Sequence, residues 1–445
     1  MDKEKIKFIV IGLIIFYLIQ WFAPNKPIYF ASYGIIIYFS YLATKSVIRS
    51  IVYTLILSFF SETSLAASLF KLEPDIGSGY FISALTILSF LLLIASFGKT
   101  KSTIHWTDWI ALGFLLWNVV LFFLQPHSNS LFGILTLGEM TITYFLLRST
   151  LDVNDLKVIP LLLSSMLIFQ SIVASIQFLT QGNVGILAES ANVDFPFGLT
   201  ATEEEELFRS SGASYHANTL AMLLIILIPY LYSFKSTFTN IIKFVWIFVL
   251  FTTYSRIAWL IGGAEFLYLN ISSMAFILKK KINIFLFMIF FIALIIINPL
   301  FLIRLETVPE ALNEQGSWGV RIKTYQEAWH LFSQSPFTGV GANMYLASIL
   351  DDPVTDLYQQ GQVNVFKKIH NFFLEILAEN GIIGLSIILI FLTGVLRMTG
   401  REKFKMVYYA KFAMISFLIF VQFHPLFLTP QMRLIYLLSA IMVIR

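Results

Sequence analysis

Apolar stretches of about twenty residues recur along almost the whole of this 445-residue chain. About 20 residues at 1.5 Å rise is the length a helix needs to cross a hydrocarbon layer of ~30 Å. Fourteen such stretches can be read: 6–23, 28–44, 50–69, 80–97, 107–125, 131–147, 158–180, 218–234, 239–254, 257–277, 283–301, 371–396, 406–423 and 430–444. Composition agrees, with 58% hydrophobic residues, 13% Asp, Glu, Lys or Arg, and a mean hydropathy of +0.80. A soluble domain carries roughly 25% charged residues, so a water-soluble globule is excluded. The expected class is all-α: a single integral membrane domain over 1–445, polytopic, with about 14 (12–14) transmembrane helices. The first stretch follows Met1–Lys5 without a small-residue cleavage site and is expected to be a retained helix. A net charge of +4 over this length does not suggest nucleic-acid binding, and the absence of cysteine removes disulfides and thiolate chemistry.

Orientation follows from the cations, because cytoplasmic loops carry an excess of Lys and Arg. With the N-terminus inside, twenty of the thirty fall in short cytoplasmic loops or tails, including Lys279–Lys281 and the Arg397–Lys405 group. Both termini are then cytoplasmic in a multi-pass protein. Two long segments, 181–217 and 302–370, are left facing the periplasm or exterior, the second forming a large external loop before the twelfth helix. They hold nearly all of the clustered polar chemistry and are the expected cover of an active site. Within the longer loop Val320, Tyr325, Ala328, Trp329 and Phe332 recur at helical spacing, which predicts an amphipathic interfacial helix over 320–333, ended by Pro336–Gly341.

Several chemistries lack their motifs. The chain has no phosphate loop, no H-E-x-x-H and no nucleophile elbow, and its six His residues show no metal-ligand spacing. What remains is a set of external side chains at span edges: Arg209, Arg256, Arg321 and His370. Singly, each also fits a bland role; Arg256 beside Tyr254 and Trp259 reads as a snorkelling interfacial cation. Arg321 is placed at the start of its helix, where the dipole disfavours a cation. Together, guanidiniums and one imidazole on one face of a membrane match a phosphate-bearing lipid substrate. Arg binds phosphate oxygens in a bidentate fork, and His takes a proton near neutral pH.

The stretches around these residues resemble a known family. Tyr254–Leu260 looks like its Ser-Arg turn, Val320–Trp329 followed by Ser335–Gly341 like its Arg helix and Gly turn, and His370–Leu385 like its His-led helix. The family is the bacterial O-antigen ligase and O-antigen polymerase superfamily of integral membrane glycosyltransferases, and the resemblance covers about 205–390. It implies a GT-C-like architecture and transfer of a glycan from undecaprenyl diphosphate to an acceptor hydroxyl at the outer face of the cytoplasmic membrane. By that resemblance Arg256 and Arg321 bind the diphosphate, Arg209 assists them, and His370 activates or orients the acceptor. No metal and no other cofactor is implied. The partners implied are a lipid-linked glycan donor, a glycan or glycolipid acceptor, the bilayer, and flippase and chain-length regulator proteins.

Other features carry alternatives. Glu375 and Glu379 lie one turn and just over two turns below His370, and with Asn371 they are candidates to support the imidazole or line the acceptor path. Glu203–Glu206 fits a solvated loop face and Asp351-Asp352 a turn. Glu139 and Glu265 fall mid-span, where charge is costly and often functional. They could be coupling acids of a transporter or lipid-glycan flippase, the reading to weigh against a polymerase, a ligase or an envelope scaffold. The span count leans toward a polymerase.

Overall fold

The structure, a computed structural model, describes residues 3–60, 82–98, 104–187, 199–202, 205–214, 216–277, 317–356, 369–398, 405–423 and 428–443. The first helices are α1 (Lys3–Phe22), α2 (Lys26–Thr44), α3 (Val47–Ser58), α4 (Ala84–Ser96), α5 (Trp106–Leu124) and α6 (Ser128–Thr150). After them come α7 (Ile159–Thr180), α8 (Ala217–Leu231), α9 (Thr237–Thr252) and α10 (Arg256–Ile277). The C-terminal part contains α11 (Ser317–Gln334), α12 (Tyr345–Asp351), α13 (Phe372–Arg397), α14 (Lys405–Phe420) and α15 (Leu428–Met442). Thirteen of the fourteen stretches read from the sequence carry a helix, and 283–301 lies outside the described residues. Among the described residues, five helical segments are long and apolar enough to cross a membrane: Lys3–Phe22, Trp106–Leu124, Ser128–Thr150, Asp155–Thr180 and Phe372–Arg397. The fold is therefore that of a polytopic α-helical membrane protein.

Its surface is inverted relative to a soluble protein. Large apolar side chains such as Leu18, Leu116, Phe123 and Ile390 are more than half exposed, forming a surface that only lipid solvates well. Small and amide side chains are buried instead, among them Ser32, Asn118, Gln170 and Gln177, as expected where lipid does not drive helices together and close packing and hydrogen bonds must. One departure from the all-α expectation is a short antiparallel hairpin, β1 (Leu199–Thr202) with β2 (Glu205–Phe208), Leu199 opposite Phe208. It sits in the first long loop, and its paired backbone satisfies polar groups there without a helix.

Helix starts explain half of the scattered histidines. The Nδ1 atoms of His105, His127 and His216 accept from the backbone N–H of Thr107 (3.3 Å), Asn129 (3.1 Å) and Asn218 (3.0 Å), capping α5, α6 and α8. An accepting Nδ1 fixes each ring as a cap through its neutral tautomer. His330 pairs instead with Asp352 at 2.9 Å on the C-cap of α12, consistent with a turn at Asp351-Asp352.

The two ends of the bundle differ. Tyr409, early in α14, donates to the Tyr232 carbonyl just past α8, at 3.1 Å. The end of α14 therefore lies beside the start of α8, as do the starts of α10 and α13. The opposite end carries the ion pairs Arg148–Asp108 (2.5 Å), which is buried, and Arg49 with Asp152 and Asp155.

The helix over 371–396, expected to be continuous, is broken. Gly381 has φ 64° and ψ −171°, a conformation essentially confined to glycine, in the middle of α13. The break is filled by the 336–341 turn. Val340 and Gly341 N–H donate to the carbonyls of Ala378 (3.0 Å) and Glu379 (2.8 Å), Ile382 N–H donates to the Pro336 carbonyl (2.9 Å), and the Trp117 indole donates to the Asn380 carbonyl (3.0 Å). Inside a membrane protein a helix can break only where such partners satisfy the freed groups.

Candidate functional site

Arg209 is held by a segment that the sequence did not mark as structural. Gln177 Oε1 accepts from Ser211 N–H (3.2 Å) and Gly212 N–H (2.8 Å), Gln170 Oε1 accepts from Ala213 N–H (2.7 Å), and Ser210 Oγ donates to the Ala174 carbonyl (3.0 Å). Two glutamines one heptad apart on α7 thus clamp residues 210–213; two Gln side chains facing the same way in an apolar helix were the available signal. Gly212 adopts φ +61°, and a Cβ there would stand 2.4 Å from Gln170 Oε1. So braced, Arg209 is 5% exposed and donates from Nε to the Thr253 carbonyl (2.8 Å) and from a terminal nitrogen to Asn218 Oδ1 (2.8 Å). At least two of its donors are thus committed to the protein, so bracing is a large part of its role.

Thr253 belongs to the 253–255 turn between α9 and α10, in which Tyr254 takes a left-handed φ of 51° and is buried. The turn delivers Arg256, half-buried, as the first residue of α10, and the Tyr254 and Trp259 rings on either side of it in sequence meet edge-on at 6.4 Å. A cation on a helix N-terminus adds its charge to backbone N–H groups that already attract anions. Arg209 and Arg256 therefore form one group, joined through this turn.

Arg321 and His370 form the second group. The helix bearing Arg321 runs Ser317–Gln334, so Arg321 lies one turn inside it rather than at its start, a correction to the sequence reading. The extra turn removes most of the dipole objection, which fades beyond the first turn. Arg321 Nε is buried and has no hydrogen-bond partner among the described residues, and burial pulls the guanidinium below its usual value, opposed by nearby Tyr325. Tyr325, four residues on, donates its hydroxyl to the His370 carbonyl (3.1 Å) and approaches the Gln422 carbonyl (3.4 Å). One tyrosine thus ties the Arg321 helix to the residue preceding α13 and to the end of α14. Its signal in the sequence was only its place on the apolar face.

The supporting residues take defined places. Asn371 is the N-cap of α13, its Oδ1 accepting from Leu374 N–H at 3.0 Å. Glu379 is 2% exposed, and its carboxylate accepts from the backbone N–H of Asn343 (3.0 Å) and Tyr345 (3.2 Å), holding the start of α12. Its carboxylate thus holds the backbone of the segment that leads into α12. Tyr345 in turn donates to the Thr324 carbonyl on α11 at 3.0 Å, so Glu379 stabilises the Arg321 helix at second hand. Glu375 is buried on the first turn of α13, below His370. Glu327, wholly buried and not singled out by the sequence, anchors Val354 and Thr355 to α11. Of the mid-span acids, Glu139 accepts from the Thr86 hydroxyl at 3.0 Å and Glu265 is enclosed in α10. Of the acidic run, Glu205 and Glu206 lie in β2, and 203–204 fall outside the described residues.

Both groups sit at the same end of the bundle, next to the starts of α8, α10 and α13. A helical membrane protein that gathers guanidiniums and an imidazole at one end, with helix N-termini beside them, is of a class suited to an anionic ligand at the membrane surface. Residues 241–389, about a third of the chain, match the family model described as O-Antigen ligase, in line with the resemblance of the motifs in that stretch. The match contains Arg256, Arg321 and His370 and leaves Arg209 outside. No curated protein matches the chain.

Proposed function

We propose that this protein is a membrane glycosyltransferase that moves a glycan from undecaprenyl diphosphate to an acceptor hydroxyl at the outer face of the bacterial cytoplasmic membrane, acting as a polysaccharide polymerase. The observation that carries it is the buried Arg321 Nε, without a partner among the described residues, on a helix tied through Tyr325 to His370, inside the segment that matches the family model. In this reading Arg256 and Arg321 hold the diphosphate, with Arg209 bracing the Arg256 turn. The acceptor hydroxyl oxygen attacks the anomeric carbon as His370 takes its proton, and the bond to the diphosphate oxygen breaks with the electron pair leaving on the diphosphate. Fixed cations in a partly dry site stabilise that growing charge, commonly the largest catalytic contribution. The leaving group is already activated, so the reaction runs without metal or nucleotide. A flippase that delivers the donor and a regulator of chain length are the partners such a polymerase would use.

The direct test is incubation of the purified protein with a lipid-diphosphate oligosaccharide in EDTA. A ladder of longer lipid-linked glycans is expected. A single product on a different acceptor would mean a ligase, and no transfer in EDTA that returns with a divalent cation would overturn the metal-free scheme. Orientation is tested by single Cys probes, convenient because the chain has no native Cys. Probes at Thr200 and Leu350 should react with an impermeant reagent from outside and one at Lys280 only from inside. External labelling at Lys280 would reverse the topology.

A further inference from the structure

The proposed transfer uses one end of the bundle; a second feature lies toward the other. Between α1, α7 and the α8–α9 turn runs a groove of about 820 Å³, walled by Leu13, Tyr17 and Trp21 on one side and Ser164, Ser165 and Ile168 on the other. On α1 its lining extends from Val10 to Phe22. At 1.5 Å per residue that is roughly 18 Å, close to one leaflet of a ~30 Å hydrocarbon core. Several of its wall residues, including Ile14 and Leu18, are more than half exposed, so the groove opens sideways toward lipid.

Two polar features break its apolar lining. Lys235, in the α8–α9 turn, stands at its base and is exposed. Ser164 is 3% exposed, and its hydroxyl is buried without a hydrogen-bond partner among the described residues. Beside it, Ser165 Oγ and the Tyr17 hydroxyl bond each other at 3.0 Å. A buried hydroxyl that donates to nothing leaves a hydrogen bond unmet, which a ligand carbonyl would supply. An apolar slot one leaflet high, with a hydroxyl part-way along and an exposed ammonium at its base, is complementary to an acyl chain, its ester carbonyl and a phosphate in that order.

We propose that this groove is a specific site for one anionic phospholipid of the leaflet on the Lys235 side, with its phosphate at Lys235, an ester carbonyl at Ser164 and an acyl chain along Tyr17 and Ile168. The site is separate from the Arg321–His370 end and does not depend on glycan transfer. Its occupancy fixes α1 against α7, so the lipid serves as a structural wedge rather than a substrate.

The test uses the full chain in nanodiscs of phosphatidylcholine containing a phosphatidylglycerol that bears a photoreactive group midway along one acyl chain. Cross-links should concentrate at Tyr17, Ile168 and Trp21. Lys235→Gln should lower their yield by about fivefold, the contribution of one Lys near an anionic lipid, and a phosphatidylcholine probe should label weakly. Ile168→Trp, which fills the slot, should abolish the adducts while leaving a monodisperse protein; if that variant does not fold, the Lys235→Gln arm decides alone. Even labelling around the whole lipid belt, equal yields from the two headgroups, or displacement of the probe by a polyprenyl diphosphate would each overturn the proposal. Loss of glycan transfer in the unaltered protein would bear on the enzyme reading and leave this one standing.

Discussion

Arg321→Lys lowers donor binding and turnover together, whereas His370→Ala leaves donor binding intact and cuts transfer by roughly 10²–10⁴-fold, the usual range for a general base. The split follows from what each side chain offers. Arg321 lies in α11 with its Nε buried and unpartnered among the described residues, so under the proposed scheme the planar fork, and not charge alone, would meet the diphosphate. An ammonium keeps the charge and loses the fork. Arg256→Lys should behave in the same way, because the same contacts hold the ground state and tighten as charge builds on the leaving oxygen. Tyr325→Phe gives a third pattern. Its hydroxyl touches the backbone of His370 and Gln422, so it is a positioning residue. Each lost hydrogen bond is worth about 1 kcal/mol, and turnover should fall several-fold with donor binding unchanged. Binding of a lipid-diphosphate glycan and single-turnover transfer, measured on purified variants, separate the three. Loss of donor binding in His370→Ala would refute the division of labour, and His370→Gln retaining most of the rate would reduce the imidazole to an orienting group.

The second large effect belongs to a glycine, Gly381, that carries no side-chain chemistry of its own. Gly381→Ala should remove the fold around the site. Its backbone conformation alone costs an alanine about 1–3 kcal/mol, and the added Cβ would stand 2.3 Å from the Phe337 carbonyl oxygen. Gly339→Ala meets the same interface from the other side, with φ +68° and a Cβ 2.4 Å from the Glu379 carbonyl carbon. Either change must push the 336–341 turn off α13. That releases the clamp between Glu379, Tyr345 and Thr324, and Arg321 with it. Gly113→Ala, in α5 with nothing within 4 Å of the added carbon, is the control and should be neutral or slightly stabilising. Thermal unfolding in detergent, followed by tryptophan fluorescence, should show a lower Tm for the first two variants only. Wild-type Tm and turnover in Gly381→Ala would mean that the break in α13 is not required.

These two glycines also show where reading the sequence stopped. The Ser335–Gly341 turn and the Glu379–Gly384 stretch were both recognised, as two separate motifs. That they are one interface, each glycine there so that the other segment's backbone can approach, depends on a contact between residues some forty positions apart. The same holds for Glu379. Its spacing below His370 suggested support for the imidazole or a place on the acceptor path, and its contact with the backbone N–H groups of Asn343 and Tyr345 could not be read from that spacing.

The sequence by itself determined the membrane class and most of the helical segments, and it singled out Arg256, Arg321 and His370 as candidates. The physical reason is that hydrocarbon imposes a one-dimensional rule. A chain must supply about twenty apolar residues per crossing, and it places charge at the edges, so composition along the chain reports both. Tertiary structure decided what the sequence pattern could not carry: the grouping of Arg209 with Arg256 and of Arg321 with His370, the glutamine clamp on residues 210–213, and the break at Gly381. Each of these is set by hydrogen bonds that a buried backbone must find somewhere. Which partner it finds is settled by packing between segments distant in sequence, and no local period records that choice.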